Sequence, residues 1–152
     1  MPQHKTHLFV GFLAYILGIY LILFLGPISW ERKIELLMYT LIGALFPDID
    51  TKSKIQRVMY IMFFILLVLL AYTKQYVAAT ATGILACIPL MVHHRSLFHS
   101  MLFLTFLGAT AVVATKIYYP AYTMVMLYNT LFFLAGVFSH LWADRGFKFS
   151  LR

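Results

Sequence analysis

The sequence predicts an all-α fold: a bundle of about six helices that crosses a membrane repeatedly. Three observations predict it. Apolar runs such as LFVGFLAYILGIYLILFLG (8–26) and VMYIMFFILLVLLAY (58–72) approach the length that spans a hydrocarbon core of about 30 Å. Hydrophobic residues make up 62% of the chain and charged residues 11%, whereas a soluble domain carries about a quarter charged. Proline, glycine and short polar turns interrupt the apolar runs at regular intervals, as helix ends require.

The elements follow in order. A first helix is expected over about 7–25, with Thr6 as N-cap and a stop at Gly26-Pro27. The second runs over about 30–46, opened by Ser29 with Glu31 in its first turn and closed by Pro47. The third and fourth, about 56–73 and 75–92, are joined by a tight turn at Lys74-Gln75. The fifth, about 97–115, takes Ser96 as N-cap, and the sixth, about 122–144, follows the break at Tyr119-Pro120. No long linker or low-complexity tract divides them, so one domain over 1–152 is expected. The N-terminal apolar stretch lacks a clean small-residue cleavage site and reads as a retained span.

The net charge of +7 does not point to nucleic acid, because the basic residues are spread over loops and termini rather than gathered in one stripe. Six crossings put Lys5, Lys52, Lys54, Arg57, Arg95, Arg145, Lys148 and Arg152 on one side. Arg32, Lys33, Lys74 and Lys116 fall on the other. The positive-inside bias then places both termini in the cytoplasm. A lone cysteine, Cys87, excludes a disulfide framework within the chain.

On that topology the metal-binding residue types fall on one side. His7 opens the first helix, and Asp48 and Asp50 follow the second. His94 and His99 lie at the junction of the fourth and fifth, and His140 and Asp144 close the sixth. The separations are 41 residues from His7 to Asp48, 44 from Asp50 to His94, and 41 from His99 to His140. Two crossings of about 20 residues each return the chain to the face it left.

His140 and Asp144 are four apart and share a helix face. A break near Leu97 lets His94 and His99 face the same way, and the carboxylates of Asp48 and Asp50 leave a non-helical stretch after Pro47. Singly, each has an ordinary account: His7 as an interfacial histidine, PDID as a solvated helix stop, His140 with Asp144 as a hydrogen-bonded pair, Arg95 as a membrane anchor. Together the histidines and aspartates form the donor set of zinc, one ion or two, with manganese or another divalent metal acceptable. His93 and the N-terminal His4 and Lys5 stay outside the set.

The pattern T-H, G-x-L-x-P-D-x-D, H-R-x-x-x-H-S and H-x-x-x-D reads here as Thr6-His7, GALFPDID (43–50), HRSLFHS (94–100) and HLWAD (140–144). In that order it resembles the LexA-regulated, inner-membrane-associated metal-dependent hydrolase family, over nearly the whole chain. That family looks distantly like zinc-dependent phospholipases C. Ser96 and Phe98 stand where the family tends to have glycine and threonine, which leaves the ligands in place but alters the loop.

The resemblance and the cluster together imply a hydrolase of the inner membrane with its site facing the cytoplasm. Its expected substrate is a membrane lipid, a phospholipid or other lipid phosphoester. Metal-activated water would attack, with Asp48 or Asp50 ahead of Asp144 as general base. Arg95 would hold a phosphate through its planar fork of donors, and Ser100 is a weaker hydrogen-bonding candidate. Two other classes compete: transport or sensing of a divalent metal, where binding near the midplane is usual, and haem-based electron transfer, which the aspartates disfavour. Oligomeric state is not readable.

Overall fold

The computed structural model describes residues 4–50, 54–91 and 98–149. Six α-helices account for most of them: α1 His4–Leu23, α2 Trp30–Leu45, α3 Lys54–Tyr72, α4 Tyr76–Met91, α5 Met101–Tyr118 and α6 Thr123–Phe149. Short 3-10 segments cover Phe46–Asp50 and Pro120–Tyr122, and the described residues contain no strand. Four helical stretches are long and apolar enough to cross a membrane: Lys5–Leu23, Lys54–Tyr72, Met101–Tyr118 and Pro120–Asp144. At 16 residues each, α2 and α4 reach only about 24 Å. The expected all-α membrane bundle is what the chain forms.

Several helix ends differ from those expected, each for a local reason. The first helix already includes Thr6, so that residue is no cap. The fifth begins at Met101, because Ser100 rather than Ser96 accepts the early backbone N–H, that of Phe103. The sixth continues beyond Asp144 to Phe149. Ser29 caps α2 as expected, accepting from the Arg32 N–H. The segment after Pro47 is a 3-10 turn rather than an open loop.

Packing divides the chain into two compact units, Met1–Pro47 with Ser100–Arg152, and Asp48–His99. In the first, α6 lies against α1, α2 and α5, and α1 also packs on α2. Its buried apolar residues include Leu36, Ala44, Leu104, Phe132 and Val137. The outward residues of α1, among them Phe9, Leu13, Ile16 and Leu17, are large, apolar and exposed. Water would not tolerate such a surface, and lipid would.

Backbone contact governs the crossing of α2 and α6. A Cβ on Gly43 would stand 2.0 Å from the Phe133 carbonyl oxygen, and one on Gly136 would stand 2.0 Å from that of Thr40. Small residues at such seams are how helices in lipid approach closely enough for dispersion to hold them. Toward the other end of the pair, Arg32 ion-pairs with Glu35 and donates to the Val125 carbonyl at 2.8 Å. Asn129 donates to Glu35 at 2.7 Å. These bonds tie polar groups of α2 to α6 where each would otherwise be costly to leave unpaired.

The second unit is built on α3 against α4. Met59 and Ala86 are buried there, and the Tyr60 hydroxyl donates to the Ala86 carbonyl at 3.0 Å. Between these helices Lys74 takes φ 59°, the left-handed cap position, while Gln75 N–H reaches the Leu70 carbonyl at 2.9 Å. A side chain there costs about 1 kcal/mol that glycine avoids. Lys74→Gly is therefore expected to raise the stability of the α3–α4 hairpin by roughly that amount, read as slower hydrogen exchange in residues 70–80. Unchanged or faster exchange would show that the turn is not strained.

Candidate metal centre

His7 lies in the first turns of α1, and His140 and Asp144 lie one turn apart near the end of α6. The α1–α6 contact brings these helix ends together. One ligand atom from each of the three residues can be chosen so that all stand within 4.8 Å of one another. His7 Nε2 is 3.6 Å from Asp144 Oδ1, and His140 Nε2 is 3.6 Å from Asp144 Oδ2. The two imidazole rings stack, with centroids 4.0 Å apart and planes inclined by 23°. His7 and His140 are buried, whereas the Asp144 side chain keeps 27% exposure and gives the group its open edge.

The hydrogen bonding of His140 defines its chemistry. Its Nδ1 lies 2.8 Å from the Ala44 carbonyl oxygen, an acceptor only, so the proton is assigned to Nδ1. In the neutral ring Nε2 then carries a lone pair, and that atom faces the Asp144 carboxylate. Two electron-rich atoms held face to face are reconciled by a cation between them or by a second proton on the ring. His7 Nδ1 is buried with no hydrogen-bond partner among the described residues.

The donor set fits a divalent ion. Two neutral imidazoles and a carboxylate form a common catalytic zinc triad, which leaves a further coordination position open. Donors sharing one tetrahedral zinc, each at about 2.0–2.1 Å from it, stand roughly 3.4 Å apart, close to the 3.6 Å here.

The remaining expected residues fall in the other unit. Asp48, on the 3-10 turn, and His99, just before the Ser100 cap, bring a carboxylate oxygen and a ring nitrogen within 4.8 Å. His99 thus precedes the fifth helix instead of lying in its first turn, because the cap is four residues later than expected. Phe98, which precedes His99, is fully buried. His94, Arg95 and the Asp50 side chain lie outside the described residues.

Sequence reasoning missed the Ala44 carbonyl that holds His140. Backbone acceptors carry no residue signature, and only the small pair Gly43-Ala44 hints at a close approach. A cavity of about 420 Å³ is elsewhere in this unit, lined by Ile22, Leu25, Pro27, Arg32, Leu36 and Tyr128. It begins about 22 Å along α1 from His7 and is lined by no histidine or aspartate, so volume alone does not mark the metal-type chemistry.

Searches of curated proteins and of solved structures return no match. A family model described as YdjM inner membrane protein matches residues 1–149. With that match covering nearly all of the chain, and with four helices able to span a bilayer, the protein belongs to the YdjM inner membrane protein family.

Proposed function

We propose that the protein is a membrane-embedded, metal-dependent hydrolase of lipid phosphoesters. His7, His140 and Asp144 would hold one divalent ion, with zinc as the best fit to the donors. The observation that carries this reading is the Asp144 carboxylate facing two imidazole Nε2 atoms at 3.6 Å. Its position supports a lipid substrate: His7 is near the start of one candidate span and Asp144 is the last residue of another, where headgroup phosphates would meet them.

A divalent ion in such a site supplies Lewis acidity and brings the pKa of water near neutrality. The protein's own residues do the rest. His140, fixed through Nδ1, keeps its Nε2 aimed at the centre. Asp144, on the open edge, would take a proton from arriving water only through a carboxylate oxygen that the ion leaves free; the sequence assigned that role first to Asp48 or Asp50. Asp48 and His99 are candidates for a second ion in their own unit; Asp50 and His94, which the sequence adds to them, lie outside the described side chains. Arg95 is the candidate for gripping phosphate. The excess of lysine and arginine at the termini and at the loops after the second and fourth helices supports a cytoplasmic site.

Elemental analysis of the full chain purified in detergent tests the metal. Wild type is expected to carry about one or two zinc ions, and Asp144→Asn, which keeps the shape and removes the charge, is expected to lose one. Vesicles of phosphatidylethanolamine and phosphatidylglycerol with added zinc test the reaction, read as release of a phosphorylated headgroup that Asp144→Asn lacks. Equal zinc in both proteins would reject the ligand set. Zinc accumulation inside the vesicles without headgroup release would favour transport instead.

A further inference from the structure

We infer that Gly43 and Gly136 are positioning residues for the metal centre: their backbone contact places the Ala44 carbonyl against His140 and thereby selects the ring nitrogen offered to the ion. The functional meaning rests on the metal-centre reading above; the geometry does not.

Ala44 is held between two successive turns of α6. A Cβ on Gly136 would lie 2.7 Å from the Ala44 nitrogen and 2.0 Å from the Thr40 oxygen. One turn further along, His140 Nδ1 is 2.8 Å from the Ala44 oxygen. On the α2 side, Gly43 precedes Ala44 and meets the Phe133 carbonyl just as closely. Any side chain at either glycine must push the helices apart by roughly 1 Å to restore an ordinary contact, and a hydrogen bond of 2.8 Å does not survive that shift intact.

Two groups are satisfied together by this arrangement. Ala44 belongs to the last turn of α2, where the helix gives way to a 3-10 turn and Pro47, three residues on, has no N–H to donate. His140 is fully buried and needs an acceptor for its ring proton. Because the acceptor is a backbone oxygen, no side-chain identity at position 44 supplies it; the helix approach does. Metal-ligating histidines ordinarily have such an outer partner, which fixes the tautomer and raises the basicity of the ligating nitrogen. Here the partner is delivered by a glycine crossing, so helix packing and metal affinity are one property.

The test uses the full chain in detergent micelles, stripped of metal, with nitrogen-15 in the histidine rings and His140→Gln to assign the signal. Above the ordinary histidine pKa range, wild-type His140 is expected to carry its proton on Nδ1. In Gly136→Ala that signal is expected to redistribute toward the Nε2–H form, and zinc affinity to fall 10- to 100-fold, the usual effect of losing an outer partner. Gly83→Ala, whose Cβ would meet only Leu67 at 3.9 Å, serves as the control and is expected to change neither.

A wild-type ring protonated on Nε2 overturns the inference. So does a folded Gly136→Ala that keeps both the wild-type signal and a zinc affinity within twofold. Should Gly136→Ala fail to fold, the wild-type tautomer decides. A wild-type chain that binds no zinc defeats the proposed function, yet leaves the tautomer measurement to decide this inference on its own.

Discussion

His140→Ala is expected to remove bound zinc and to destabilise the unit formed by α1, α2, α5 and α6. The side chain is fully buried, stacks on His7 at 4.0 Å and donates to the Ala44 carbonyl at 2.8 Å. Alanine leaves that carbonyl unsatisfied, at about 1–3 kcal/mol. It also loses a stacked pair worth about 0.5–1.5 kcal/mol. A total of about 1.5–4.5 kcal/mol should appear as earlier unfolding of the metal-free protein in detergent. In the zinc-loaded protein the gap widens further, because wild type gains the linkage energy of bound ion and the variant does not. Measuring unfolding with and without a chelator separates the two effects. If the chelator leaves wild type unchanged, the zinc reading fails, even where the metal-free cost of His140→Ala is as large as expected.

The second large effect is at Gly43. Gly43→Val places a Cβ 2.0 Å from the Phe133 carbonyl oxygen and 2.9 Å from its carbon, with nothing flexible to yield. Both partners are helix backbone, so relief requires α2 and α6 to separate along their seam. Overpacking of a well-filled core usually costs about 1–3 kcal/mol; collision with backbone should exceed the upper figure. Gly83→Ala provides the contrast within α4. Its Cβ enters ordinary contact, and alanine is better than glycine inside a helix by about 0.8–1.0 kcal/mol, so a gain is expected. Far-UV circular dichroism on heating in one detergent compares both variants with wild type. A Gly43→Val chain as stable as wild type would mean that the two helices do not cross at this distance.

Much of the fold was legible from composition and spacing. The apolar runs, Pro27, Pro47 and Pro120, and the Ser29 cap were enough to identify six helices within a few residues. Errors gathered at helix ends. Ser96 and Ser100 were equally plausible caps, and nothing in the linear chain ranks two serines four residues apart. Thr6 looked like a cap but is a helix interior residue, since threonine tolerates both positions and α1 starts at His4.

The candidate site was legible in part, for a geometric reason. Spacing of four residues places His140 and Asp144 on one face of any helix, within reach of one another, and here they meet at 3.6 Å. His7 is different: it joins them only because α1 packs on α6, a contact between residues more than 130 positions apart.

Thus the sequence by itself determined that this chain is helical, lives in lipid and carries imidazoles and carboxylates near helix ends. Those properties follow from hydrophobic length and local period, which neighbours along the chain dictate. Only the tertiary structure decided that His7 stacks on His140, that Asp144 faces both, and that Ala44 sets the ring proton. The reason is that two glycines let backbones touch, and a distance between helices is a sum over many packed atoms that no local pattern encodes.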